Sequence, residues 1–136
     1  ASYTIVTSER NPWDRQVSLF THRRTKHPAR NIRDFKAAMV SRSYNLFHLN
    51  KLDNWGIYSI DDQPVADHVI RYENLAEDYV NTLRALKIDP EQWPLPHLRA
   101  KERFEGKDYR NYYSDEVRDL IGEWYKNEIR HFGYQF

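Results

Sequence analysis

The stretch Arg10-Asn11-Pro12-Trp13-Asp14-Arg15-Gln16-Val17-Ser18 decides how this chain is read. Upstream of it, Tyr3-Thr4-Ile5-Val6 has a β-type composition, and residues 2–7 read as a strand. Downstream, Asn11 is a good N-cap and Pro12 suits the first helical position. Trp13, Val17 and Phe20 then recur at helical spacing, so a helix is expected over residues 12–26. A strand that turns tightly into a helix presents unpaired backbone N–H groups and the positive end of a helix dipole, a combination that suits a phosphate. Arg10 falls at the strand's end and Ser18 about two turns into the helix. A guanidinium and a hydroxyl so placed can converge on one anion.

Working outward, Arg15, Ser18 and His22 are expected on one face of the first helix, opposite its apolar face, and His27-Pro28 ends it. Asn31 can cap a second helix, whose apolar stripe Ile32, Phe35, Met39, Leu46 and Phe47 runs to about residue 49. Asp53-Asn54-Trp55-Gly56 is a turn signal, and Ile57-Tyr58-Ser59-Ile60 reads as a short strand closed by Asp61-Asp62-Gln63-Pro64. Residues 68–72 read as a buried strand, and Asn74 with Glu77 resembles a capping box for a helix that buries Leu75, Tyr79, Leu83 and Leu86. Residues 89–112 lack periodicity and carry Arg99, Lys101, Arg103 and Lys107, a long loop of the kind that is often functional. Ser114 caps one last helix with Val117, Leu120, Ile121, Trp124, Ile129 and Phe132 on a single face, and Gly133 is its natural C-cap. Strands separated by helices imply an α/β fold with a parallel sheet, whose ligands sit beyond the carboxyl ends of the strands. Arg10 and Glu73 both belong on that rim.

At 136 residues the chain is expected to be a single domain, residues 1–136. Its net charge is only +1, so no global field argues for nucleic acid as a partner. Six basic residues nevertheless crowd the segment from Arg23 to Lys36 against the single acid Asp34. That segment reads either as a solvated surface or as a basic rim that draws in a polyanion. There is no cysteine, which removes disulfides and thiol chemistry and fits a cytoplasmic protein. No apolar run approaches the ~20 residues that span a membrane, so no membrane partner is expected. The six histidines show no metal-ligand spacing, and no metal is expected.

Arg-Asn-Pro-Trp-Asp-Arg-x-x-Ser resembles the 3′-phosphate-binding motif of the sulfotransferases that use 3′-phosphoadenosine-5′-phosphosulfate (PAPS). Val69-Ile70-Arg71-Tyr72-Glu73-Asn74-Leu75-Ala76-Glu77-Asp78 is similar to that family's strand-to-helix segment. Leu95-Pro96-His97-Leu98 and Tyr109-Arg110-Asn111-Tyr112-Tyr113-Ser114-Asp115-Glu116 resemble its late loop, and Phe132-Gly133-Tyr134-Gln135-Phe136 its usual ending. The bacterial and carbohydrate-type members are the most similar group. The resemblance covers nearly the whole chain. It implies a P-loop-NTPase-like parallel sheet flanked by helices. It also implies PAPS as cofactor with PAP as product, and a hydroxyl-bearing small molecule or carbohydrate as acceptor. Arg10 and Ser18 fall on the family's 3′-phosphate ligands. Arg15 falls on the motif's second arginine, and Lys101 and Arg103 lie where the family has a basic loop over the cofactor. Thr7-Ser8-Glu9 depart from the family, which keeps the approach to the arginine apolar.

The family's N-terminal glycine-containing phosphate loop, which grips the 5′-phosphosulfate, has no counterpart here. The glycines are Gly56, Gly106, Gly122 and Gly133, no two of them close enough to build it. The catalytic base usually lies in that portion too, so no catalytic residue is named. The expectation is therefore the C-terminal part of a sulfotransferase, not competent for transfer by itself. The alternative is a non-catalytic PAP-binding relative. A sheet lacking strands would expose an edge and an apolar face, so a homo-oligomer is also expected.

Overall fold

A computed structural model describes residues 3–26, 34–41, 54–96 and 108–136. In chain order the elements are β1 (Val6–Glu9), α1 (Pro12–Lys26), α2 (Phe35–Val40), α3 (Trp55–Tyr58), β2 (Ser59–Ile60), β3 (Gln63–Pro64), β4 (His68–Arg71), α4 (Leu75–Ala85), α5 (Asp115–Trp124) and α6 (Lys126–Phe132). Short 3₁₀ turns at Tyr72–Asn74 and Tyr109–Tyr112 precede α4 and α5. Where length argues for one domain, the contacts divide the chain into two compact units, residues 1–10 with 54–100, and residues 11–53 with 101–136.

The first unit is α/β. Strand β1 pairs in parallel with β4, in the register Val6↔His68 through Glu9↔Arg71. Asp67 fastens the entrance to this ladder: its carboxylate accepts from the Ile5 N–H at 2.8 Å, and its own N–H donates to the Ile5 carbonyl at 2.9 Å. The parallel pairing expected from the strand–helix alternation is present, but the first strand lies further along the chain than expected and runs through the polar residues to Glu9. Helix α4 follows β4 through the Tyr72–Asn74 turn and lies against it. The expected capping box is not made. Asn74 occupies the N-cap position at φ −120°, ψ 30°, outside the extended region in which a cap side chain reaches back to the helix N–H groups, and it makes no such bond. The segment expected as one short strand is a helical turn, α3, followed by a two-stranded antiparallel hairpin, β2–β3. Asp61 and Asp62 close that hairpin with φ of 51° and 60°, the left-handed pair that a two-residue hairpin turn needs.

This unit has little core. Parallel strands are normally covered on both faces, yet β1 is buried only at Glu9, and β4 is half-buried at His68, Val69 and Ile70. Among the described residues, the large apolar side chains most open to water, Tyr3, Ile57, Ile60 and Trp93, all belong here.

The second unit is helical and holds the core. Trp13, Val17 and Phe20 of α1 meet Phe35, Ala38 and Met39 of α2, with Val117, Ile121 and Tyr125 from the C-terminal helices. Phe35 makes edge-to-face contacts with Phe20, Tyr112 and Tyr113, geometry that favours aromatic pairs beyond their buried area. Asp34 caps α2 by accepting from the Lys36 N–H. The expected cap Asn31 and the stripe beyond residue 41 lie outside the described residues. Ser114 caps α5 as expected, and Gly133 ends α6 in the left-handed conformation at φ 68°. The single last helix of the sequence reading is broken at Tyr125 into α5 and α6.

Candidate anion site

Arg10 is the first residue beyond β1, at the carboxyl end of the parallel pair. In the same unit, β4 ends at Arg71, so Arg71, Tyr72 and Glu73 emerge at the same end of the sheet as Arg10. The Arg10 guanidinium lies over the Tyr72 ring at 4.0 Å. This contact uses the face of the guanidinium, whereas its five N–H donors lie in its plane, the edge that grips a phosphate. Glu73 sits in the 3₁₀ turn and is exposed. The Arg71 backbone N–H donates to Asp78 of α4 at 2.8 Å, tying the strand end to the helix that follows.

The residue that the sequence reading passed over is Glu9. It is only 2% exposed, the one buried position of β1. Its Oε2 accepts from the Tyr58 hydroxyl at 2.7 Å and its Oε1 from the Arg10 backbone N–H at 3.0 Å. Tyr58, at 3% exposure, is the buried end of α3. A glutamate at a strand end carries no sequence mark of burial, and no spacing rule links it to a tyrosine in a distant helical turn. The polar run Thr7-Ser8-Glu9 was the only available signal.

In the helical unit, Asn11 opens α1. Its Oδ1 accepts from the Trp13 N–H at 3.1 Å, and its Nδ2 donates to the Gln135 carbonyl at 3.0 Å. Pro12 follows it, fully buried. Ser18 is half-buried on α1. Arg15 does not share an open face with it: Arg15 is buried, 3.8 Å from the Glu128 carboxylate of α6 and stacked at 4.5 Å over the Tyr125 ring. Gln16 hydrogen-bonds the Tyr125 hydroxyl from the same helix. Helix α1 is therefore buried on more than the one face that its apolar spacing marks. Lys101 and Arg103 lie outside the described residues. Among the described residues no group of histidines and carboxylates could hold a metal ion, and no helix is long and apolar enough to cross a membrane.

Comparisons with protein-family models, curated proteins and solved structures give no match to this chain.

Proposed function

We propose that this chain binds the 3′-phosphate of PAPS or PAP, as the 3′-phosphate half of a sulfotransferase-type nucleotide site with a P-loop-like architecture. The observation that carries the reading is the place of Arg10: it follows β1 at the carboxyl end of the parallel β1–β4 pair, the end at which ligands of such sheets sit, and a guanidinium there can grip a phosphate. Stacking of Arg10 on Tyr72 fits the role, because it orients the guanidinium without using its in-plane donors. By resemblance, Ser18 is the second ligand, and Lys101 and Arg103 fall where the family has a basic loop over the cofactor. Arg15, paired with Glu128 inside the helical unit, holds helices in register, and a further role toward the nucleotide rests on resemblance alone.

When bound, PAPS supplies the sulfuryl group and PAP is the leaving nucleotide. This chain's contribution is to hold and orient the 3′-phosphate end. No two glycines of the 136 residues are close enough to build the family's N-terminal phosphate loop for the 5′-phosphosulfate, so transfer to a hydroxyl acceptor, with a carbohydrate as the leading class, requires a phosphate loop from elsewhere. A cytoplasmic setting belongs to the same reading. Calorimetric titration with PAP tests it, with 5′-AMP as the ligand lacking the 3′-phosphate. Binding of PAP but not 5′-AMP, lost in Arg10→Ala, is the expected result. Equal binding of both ligands, or PAP binding indifferent to Arg10→Ala, overturns it.

A further inference from the structure

From Asn54 to Val65 the chain folds back on itself. The Trp55 indole N–H donates to Asp62 at 2.6 Å, the Ser59 hydroxyl to the Trp55 carbonyl at 2.6 Å, and the Val65 N–H to the Tyr58 carbonyl at 2.8 Å. The Trp55 and Tyr58 rings meet edge to face at 5.8 Å. One residue of this piece is buried, Tyr58, while its neighbours Ile57 and Ile60 stay 80% and 65% exposed. A segment docked for its apolar area would turn its isoleucines inward. This one turns in a tyrosine, whose hydroxyl donates to Glu9 Oε2 at 2.7 Å. The other oxygen of the same carboxylate accepts from the Arg10 backbone N–H at 3.0 Å. Hydrogen bonds to a carboxylate are shorter and stronger than those between neutral groups, so they hold direction as well as distance.

We propose that Tyr58 is a positioning residue of the Arg10 site. Through Glu9 it fixes the Arg10 backbone, and with it the place from which the guanidinium meets an anion. The proposal rests on the 3′-phosphate reading above and extends it to a residue of the hairpin piece, outside the motif. Arg10 lies one residue past Glu9↔Arg71, the last pair of the ladder, where the Glu9 side chain supplies a bond to its N–H. The guanidinium that lies over Tyr72 is several bonds from that backbone, so a small turn at the root displaces it widely. Bidentate grip of a phosphate depends on the guanidinium plane, and a misplacement of this kind weakens it.

The test reads the Arg10 backbone and the ligand separately. Tyr58→Phe keeps the buried ring and removes only the hydroxyl. By calorimetry it should weaken PAP binding about fivefold, the equivalent of one hydrogen bond. Without any ligand it should also shift the Arg10 backbone amide in ¹H–¹⁵N spectra and speed its hydrogen exchange. Leu83→Ala, half-buried on α4, controls for lost stability alone: the Arg10 amide should stay in place and PAP affinity should stay within about twofold of wild type. Glu9→Leu removes both bonds at once. Adding Tyr58→Phe to it should weaken PAP binding by less than about twofold more, because Tyr58 acts through Glu9. PAP binding by a folded Tyr58→Phe within about twofold of wild type, an unmoved Arg10 amide, equal weakening by Leu83→Ala, or the full effect of Tyr58→Phe on top of Glu9→Leu each overturns the proposal. Arg10→Ala distinguishes the two levels. If it abolishes PAP binding while Tyr58→Phe leaves binding unchanged, only the role of Tyr58 fails. If Arg10→Ala binds as the wild type does, or the wild type does not bind PAP, the 3′-phosphate reading fails and the Tyr58 proposal falls with it.

Discussion

Removal of Glu128 should be among the most damaging single changes in the helical unit. Glu128 is 3% exposed on α6 and lies 3.8 Å from the guanidinium of Arg15 on α1, itself only 7% exposed. That separation is longer than a hydrogen bond, so the attraction is chiefly that of charge for charge. Taking both ions out of water cancels much of this attraction, and the intact pair contributes little net stability. Breaking it is another matter. Glu128→Ala takes the carboxylate away from the buried Arg15 charge, which keeps its contact with the Tyr125 ring, at a cost of about 3–5 kcal/mol. A natural domain has only about 5–15 kcal/mol in hand. With a urea m-value of roughly 2 kcal/mol/M for a chain of this size, the unfolding midpoint should fall by about 2 M, read from tryptophan fluorescence and circular dichroism together. The double change Arg15→Met with Glu128→Leu removes both charges and keeps comparable volume, so it should recover most or all of the loss. If Glu128→Ala costs less than about 1 kcal/mol, or if the double variant is no more stable than the single one, the pair is not the buried electrostatic tie described here. The double variant also decides whether Arg15 serves the nucleotide. Retained PAP binding confines Arg15 to the helical core, and lost binding in a stable chain gives it a ligand role.

Burial pushes the Tyr113 phenol well above its ordinary pKa, while its hydroxyl donates to the Trp13 carbonyl at 2.8 Å. The folded state then holds a proton that the unfolded state releases near pH 10. Stability is fully present below that pH and falls by about 1.4 kcal/mol per pH unit above it. Tyr113→Phe should cost about 1 kcal/mol at pH 7 yet flatten that alkaline decline in a series of urea titrations, and an unchanged slope would refute the assignment. The two described glycines with known surroundings should respond with opposite signs. Gly122→Ala, whose Cβ would meet the Trp13 ring at 3.4 Å, should stabilise by up to about 1 kcal/mol through helix propensity, whereas Gly133→Ala, forced to φ 68°, should destabilise by about the same amount in thermal melts. The open apolar residues of the first unit should make the chain associate as concentration rises, and Ile57→Lys with Ile60→Lys should reduce that association in light scattering; a wild-type monomer at high concentration would refute it.

Legibility in the sequence divides along physical lines. The signals that were read correctly are local. Asn11-Pro12 and the spacing of Trp13, Val17 and Phe20 mark α1 from Pro12 to Lys26, and Ser114 and Gly133 mark the ends of the C-terminal helices, because capping and periodicity are decided within a few residues. The parallel pairing of β1 with β4 was legible from strand–helix alternation. What was not legible is what distant residues do to one another. Arg15 reads as a polar-face residue by helical spacing, and only the approach of Glu128 and Tyr125 makes it a buried one. Ile57-Tyr58-Ser59-Ile60 has strand composition, yet Tyr58 ends a helical turn whose hydroxyl reaches Glu9, so tertiary contact overrides a weak β-propensity. The same logic bears on the candidate site. The motif that suggests a phosphate is contiguous, so it could be read from residues 10–18 alone. The buried carboxylate next to it sits just outside the motif, at Glu9, where resemblance led the reading to expect an apolar residue. A departure from pattern that is nonetheless buried and doubly hydrogen-bonded constrains the chemistry of a site more tightly than another match to the pattern would, because burying a carboxylate costs stability unless its surroundings are built to hold it.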